Sequence, residues 1–174
     1  MKIMFVCHGN ICRSPMAEFV LRDIIRKNCL ESLCELVCSS ATSTEEIYAG
    51  HGNPIYPPAA RKLSENGITD FREKRAVQLC RDDYGKYDLF VGMDSANIRN
   101  MHRVFGNDPG KKIRKLKQYE SSRLCDMSHA GDVADPWYSG DFDTTYNEIC
   151  ACCIELAKRI KLCGKNGEKA TFDL

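Results

Sequence analysis

Apolar and polar positions in this chain fall into alternating blocks whose periods switch between strand and helix. The apolar run inside Lys2 to Val6 predicts a short strand buried on both faces. After a polar loop containing Gly9 and Asn10, the residues Met16, Val20, Leu21, Ile24 and Ile25 share one helical face. That helix is entered through Ser14-Pro15, where the missing proline N–H is not needed. Glu35 to Ser39 predicts a second strand, and Ala41 to Pro58, punctuated by Gly50, Gly52, Pro54 and Pro57, reads mostly as loop. A helix from about Pro58 to Asn66 is expected to stop at Gly67. Then come a short helix over Arg81 to Tyr87, a third strand over Asp88 to Met93, and a helix from the N-cap Asp94 to about Val104. Ile113 to Leu116 gives a weaker fourth strand, followed by a long polar loop from Gln118 to Ser139 and a last helix over Asp141 to Leu162.

Strands separated by helices imply parallel crossovers, so the expected class is α/β: a four-stranded, Rossmann-like parallel sheet with helices on both faces. In such sheets ligands sit beyond the carboxyl ends of the strands, which makes the loop after the first strand a candidate site by position alone. With 174 residues the chain fits one domain, placed at 1–165 with a C-terminal tail over 166–174.

Composition narrows the class further. Apolar content of 43% and charged content of 28% are ordinary for a soluble domain. A net charge of +1 argues against a nucleic-acid partner, which calls for a strongly basic surface. The N-terminal apolar run is too short for a signal peptide or a membrane span, so a cytoplasmic location without membrane attachment is the default expectation. Eleven cysteines, an odd number without an export signal, argue against a secreted disulfide framework. The spacings Cys7-x4-Cys12, Cys29-x4-Cys34-x3-Cys38 and Cys150-x-Cys152-Cys153, with scattered His8, His51, His102 and His129, do not form a zinc pattern, so no metal is expected. Most of these thiols are read as small buried apolar groups; Cys152, Cys153 and Cys163 fall in the apolar pattern of Ile149, Leu156 and Ile160.

The segment Cys7 to Arg13 has the form C-x5-R and is followed by Ser14. A tight loop between a strand end and a helix start turns successive N–H groups inward to cradle an anion, and the helix dipole adds to the field. Gly9 lets the chain turn. Arg13 can grip two phosphate oxygens with its planar fork. The same positive field favours a thiolate at Cys7, and Ser14 can donate to that sulfur. A phosphoryl-transfer site also needs a proton donor for the leaving oxygen. Asp135, held extended by Pro136 in the long loop, is a candidate beside Asp126, Asp132 and Asp141.

The stretch V-C-H-G-N-I-C-R-S-P-M-A-E resembles the phosphate loop of the low-molecular-weight protein tyrosine phosphatases. The likeness covers nearly the whole chain, including Ser39-Ser40-Ala41-Thr42-Ser43, Gly92-Met93-Asp94 and Asp135-Pro136-Trp137-Tyr138. The resemblance implies a metal-free, cofactor-free hydrolase of phosphotyrosine, on proteins or small aryl phosphates, that passes through a phosphocysteine. By the same resemblance Cys7 is the nucleophile, Arg13 the phosphate clamp and Asp135 the general acid. The loop is completed by His8, Gly9, Asn10, Ile11, Cys12 and Ser14, with Asn10 and Ser39 stiffening it from beneath. Trp137 and Tyr138 would form an aromatic substrate wall, and Cys12 would either form a reversible, protective disulfide with Cys7 or pack the loop as a plain thiol.

This chain departs from the family in several places. His8 sits at a variable position, either helping to hold the thiolate or lining the rim. Where many relatives carry a histidine in the loop-stiffening network, Lys74 or Arg75 stands here. The loop Thr44 to His51 is longer than in mammalian members and contains Tyr48, and Glu45 falls near a position that is aromatic there; the length and the Asp-Pro-Trp-Tyr form look more like bacterial members. Three rival readings carry their own signatures. A thiol-dependent arsenate reductase needs a second relay cysteine soon after Cys80, where Tyr84 and Tyr87 stand instead. A protein-arginine phosphatase carries threonine in place of Ile11. A phosphopeptide-binding module or a phosphocysteine carrier would not need Cys7, Arg13 and Asp135 together.

Overall fold

A computed structural model describes residues 1–121 and 125–166. Strand β1 (Lys2–Cys7) lies between β2 (Leu36–Ala41) and β5 (Leu89–Gly92), and β6 (Ile113–Lys115) completes the sheet in the order β2-β1-β5-β6. All three pairings are parallel, with Phe5 opposite both Ser39 and Val91. The four-stranded parallel sheet is therefore the one the sequence implies. The chain leaves β1 toward β2 on one side and later reaches β5 on the other, so the switch point lies at the carboxyl end of β1.

Alternation along β1 explains how the sheet is covered. Ile3, Phe5 and Cys7 join a large core with α1 (Arg13–Lys27), α2 (Pro57–Glu65) and α5 (Phe142–Asn166). Met4 and Val6 point the other way, into a smaller core with Phe90, Ile98, Met101 and Phe105 under α3 (Ser95–Phe105). At Gly92 a Cβ would lie 2.9 Å from the Ile98 side chain, so the glycine lets α3 settle onto β5. Asp94 caps α3 as expected, accepting the Asn97 N–H at 2.7 Å.

Three segments differ from their sequence pattern. The stretch expected to be loop after β2 contains a small antiparallel hairpin, β3 (Ile47–Tyr48) and β4 (His51–Gly52). Two-residue strands beside glycines and prolines carry no period to detect. The long loop before α5 holds a four-residue helix, α4 (Pro136–Ser139), ended by Gly140 in the left-handed region. Helix α5 runs on through Asn166, so the tail expected over 166–174 lies, past that residue, outside the described residues. Among the described residues no helix is long and apolar enough to cross a membrane.

Cys152 and Cys153 are fully buried against the main core, whereas Cys163 is half-buried. Burial pushes the thiols of Cys152 and Cys12 up to about 12 and that of Cys34 up to about 11, and raises Cys153 as well. In the unfolded chain these thiols ionise near pH ~8.5. Their neutral burial therefore contributes stability that is complete below that pH and is lost as pH rises through the folded values. Each group loses about 1.4 kcal/mol per pH unit in that window. Denaturant midpoints measured between pH 8 and pH 11 are expected to fall steeply above pH ~9; a flat profile would contradict the assignment.

Candidate active site

Strand β1 delivers Cys7 to the switch point, and α1 begins at Arg13 after a single tight turn. Asn10 sits at φ 58°, the left-handed region that non-glycine residues enter only when their surroundings hold them. That turn aims the Asn10 N–H at the Cys7 sulfur, 3.3 Å away. The N-terminus of α1 has no side-chain cap and no acidic residue in its first turn. Its backbone donors and dipole face the cleft without a built-in anion, which suits an incoming phosphate.

A chain of buried polar contacts supports the turn. The Asn10 amide nitrogen donates to Ser14 Oγ at 2.9 Å and to Ser39 Oγ at 2.8 Å, while its carbonyl oxygen accepts the Val77 N–H at 3.1 Å. Ser14 Oγ lies 3.0 Å from Cys7 Sγ. The structure thus brings Asn10, Ser14 and Ser39 together with Cys7. Of the two basic residues at the family's histidine position, Lys74 is the one that enters: its ammonium reaches Ser39 O at 2.9 Å and Glu18 Oε2 at 3.2 Å. Arg75 instead donates to the carbonyls of Arg72 and Lys74. Glu18, a buried carboxylate on α1, had no role in the sequence pattern beyond its place in the motif.

Arg13 is buried and held by two carboxylates, Asp94 Oδ2 at 2.7 Å and Asp135 Oδ2 at 2.6 Å. Burial works against its charge, but Cys7, Asp135 and Asp94 outweigh it and hold the guanidinium above its ordinary pKa. Asp135 is also the N-cap of α4, where its Oδ1 accepts the Trp137 N–H at 3.1 Å. Its rivals are engaged elsewhere: Asp126 with Ser128, Asp132 with Ser95 and Lys115, Asp141 with Thr144. The second role of Asp94, gripping Arg13 from the far end of β5, was not visible in its capping signature.

These groups open on a cleft of ≈ 210 Å³. Ile11 lines it while packing on Cys12 and Ala76. Trp137 and Tyr138 form one wall; Trp137 leans on Tyr56, ring centroids 5.3 Å apart, and Tyr138 stands 87% exposed. Tyr56 was missed by the sequence reading, since a tyrosine before two prolines marks only a helix start. His8 resolves to the rim: its ring nitrogen pairs with Glu45 Oε2 at 2.8 Å, both side chains largely exposed. Glu46 lies over Gly9, where a Cβ would come within 2.9 Å of its side chain. Cys12 also lines the cleft, its thiol pushed up to about 12 first by burial and then by the neighbouring charges of Cys7 and Asp135. Cys80, the arsenate-reductase candidate, is exposed at the head of the 3₁₀ turn Arg81–Gly85 and does not line the cleft.

A thiol, a guanidinium and a carboxylate converging on an anion-binding turn at the carboxyl end of a parallel sheet are the hallmark of the cysteine-dependent phosphatases. The sequence profile described as low molecular weight phosphotyrosine protein phosphatase matches residues 2–166, and the chain belongs to that family. The Gallus gallus low molecular weight phosphotyrosine protein phosphatase is 34% identical over 155 residues, covering 87% of this chain and 90% of the relative. The crystal structure of YfkJ from Bacillus subtilis superposes with a TM-score of 0.77 at 32% identity, covering 93% of this chain and 95% of that one. The low molecular weight protein tyrosine phosphatase of Streptococcus pyogenes gives a TM-score of 0.75 at 34% identity, with coverage of 91% and 93%.

Proposed function

We propose that this chain, as a single phosphatase domain, hydrolyses phosphotyrosine, on proteins or small aryl phosphates, through a phosphocysteine on Cys7. The carrying observation is the convergence of Cys7, Arg13 and Asp135 on one cleft, with Ser14 within hydrogen-bond reach of the sulfur. The substrate phosphate enters the turn and takes Arg13 from Asp135, and the carboxylate so released takes up a proton from solvent. The Cys7 thiolate attacks phosphorus, the P–O(aryl) bond breaks, and Asp135 passes its proton to the departing phenolate oxygen. Asp135, now a carboxylate, then accepts a proton from the attacking water. The S–P bond breaks, its electron pair returns to sulfur, and inorganic phosphate leaves. Trp137 and Tyr138 flank the ring. Release of p-nitrophenol from its phosphate at mildly acidic pH, with acid-quenched trapping of a phosphoenzyme, tests this sequence directly.

The phosphoarginine alternative turns on Ile11. Its apolar side chain suits a flat aryl ring and offers no hydrogen-bond acceptor to the N–H groups of a phosphoguanidinium. The parent is expected to turn over phosphotyrosine in preference to phosphoarginine, and Ile11→Thr to shift the ratio of kcat/KM toward phosphoarginine by about 10-fold or more. Equal turnover of both substrates by the parent would sink this argument.

A further inference from the structure

Deepening the proposed phosphocysteine mechanism, we infer that Lys74, acting through Glu18, is a positioning residue that fixes the direction of the hydrogen-bond chain ending on the Cys7 sulfur. The geometry leaves little freedom in that chain. A carboxylate only accepts, so Ser39, whose Oγ lies 2.6 Å from Glu18 Oε2, gives Glu18 its single proton. Ser39 therefore meets Asn10 as an acceptor. The Val77 N–H on the Asn10 carbonyl oxygen agrees with this orientation of the amide. Both amide hydrogens are then used, one on Ser39 and one on Ser14. Ser14 accepts from Asn10 and keeps its own hydrogen, and with Cys7 as the thiolate of the proposed mechanism, which has no proton to give, that hydrogen goes to Cys7 Sγ at 3.0 Å. The Ser14–Cys7 contact, which distance alone leaves open in direction, is oriented toward the sulfur.

Lys74 anchors the far end. Its ammonium bridges Glu18 Oε2 on α1 and the Ser39 carbonyl on β2, and its side chain is only 12% exposed. It pairs with the Glu18 carboxylate and pins the strand that carries Ser39. This clamp also holds Asn10 in its left-handed turn, a conformation that is unfavourable without support. The step most exposed to the clamp is hydrolysis of the phosphocysteine, because there the sulfur departs with the electron pair and the Ser14 proton stabilises it. Arg22 reaches the other Glu18 oxygen at 3.3 Å, so Glu18 keeps a cation when Lys74 is removed and the variant retains a partner for its buried charge.

The test compares the parent with Lys74→Met, Lys74→Arg, Glu18→Gln and the double variant Glu18→Gln/Lys74→Met, measuring kcat, KM and the steady-state fraction of phosphoenzyme trapped by acid quench. Lys74→Met is expected to lower kcat by about 10-fold, with a smaller change in kcat/KM, and to raise the trapped phosphoenzyme fraction. Lys74→Arg should stay within about 3-fold of the parent. The double variant should lose no more than Glu18→Gln alone, since the lysine acts through the glutamate. A Lys74→Met enzyme that melts earlier but partitions like the parent would show a purely structural lysine and overturn the inference. Independent, additive losses in the double variant would overturn it too. If the parent forms no phosphoenzyme at all, the underlying mechanism fails, and this result is distinct from the other two.

Discussion

Replacing Cys7 by serine is expected to abolish turnover of p-nitrophenyl phosphate while leaving the fold and phosphate binding in place. The substitution exchanges one atom in a side chain that is 3% exposed, so packing around the end of β1 changes little. What it removes is the proposed nucleophile. A serine hydroxyl in the same position has no base within the turn: its neighbours there are a hydroxyl, Ser14 Oγ, and the Asn10 N–H. The loss should be roughly 10⁵-fold or more, on the scale seen when a covalent nucleophile is removed from other two-step hydrolases. The anion cradle is untouched, because Arg13 and the open N-terminus of α1 do not depend on sulfur. Phosphate should therefore still raise the thermal midpoint of Cys7→Ser in a concentration-dependent way. Residual activity near the parental level would place the chemistry elsewhere.

Asp135→Ala should produce two effects of opposite sign. Loss of the proton donor lowers kcat by roughly 10²–10⁴-fold. The loss is larger for phosphotyrosine than for p-nitrophenyl phosphate, because tyrosinate is a much stronger base and leaves poorly without a proton. At the same time Arg13 loses one of its two carboxylate partners, held at 2.6 Å. A phosphate then meets a clamp with one competitor fewer, so inhibition by inorganic phosphate should tighten several-fold. Steady-state rates on both substrates, with the phosphate inhibition constant, measure the pair of effects. A kcat loss equal on both leaving groups would remove Asp135 from the acid role.

The parts of this site that were legible in the sequence are those built by neighbours in the chain. The turn from Cys7 to Ser14 is one such case, because a strand, a glycine-bearing loop and a Ser-Pro helix entry write themselves into consecutive residues. Asp94 as an N-cap is another. Asp135 was one of four aspartates until the family likeness and then the Arg13 contact separated it from the rest. The groups that the pattern did not reveal act across the fold. Asp94 reaches back from β5 to Arg13, Tyr56 meets Trp137, and Glu18 on α1 joins Lys74 and Ser39. Each looks like an ordinary surface or capping residue in its own segment, and its partner comes from elsewhere in the fold, through β5 lying beside β1, α1 packing on β2, or Tyr56 meeting the ring of Trp137. The β3–β4 hairpin escaped for a related reason: Gly52 passes so close to Ala76 that a Cβ would overlap its carbonyl, a constraint set wholly by another segment.

Helix α4 carries a consequence for how this enzyme can diversify. Asp135 caps the same four-residue helix that presents Trp137 and Tyr138, and its own carboxylate holds the Trp137 N–H. On the roles proposed for them, proton delivery and ring recognition therefore share one four-residue helix. A substitution at either aromatic position that widens the range of accepted substrates also tilts the acid relative to the leaving oxygen. Along a lineage, new selectivity at this wall is purchased in turnover unless the cap is rebuilt with it, so drift in substrate range should be found first on the opposite rim, at His8, Glu45 and Glu46, where no catalytic proton is carried.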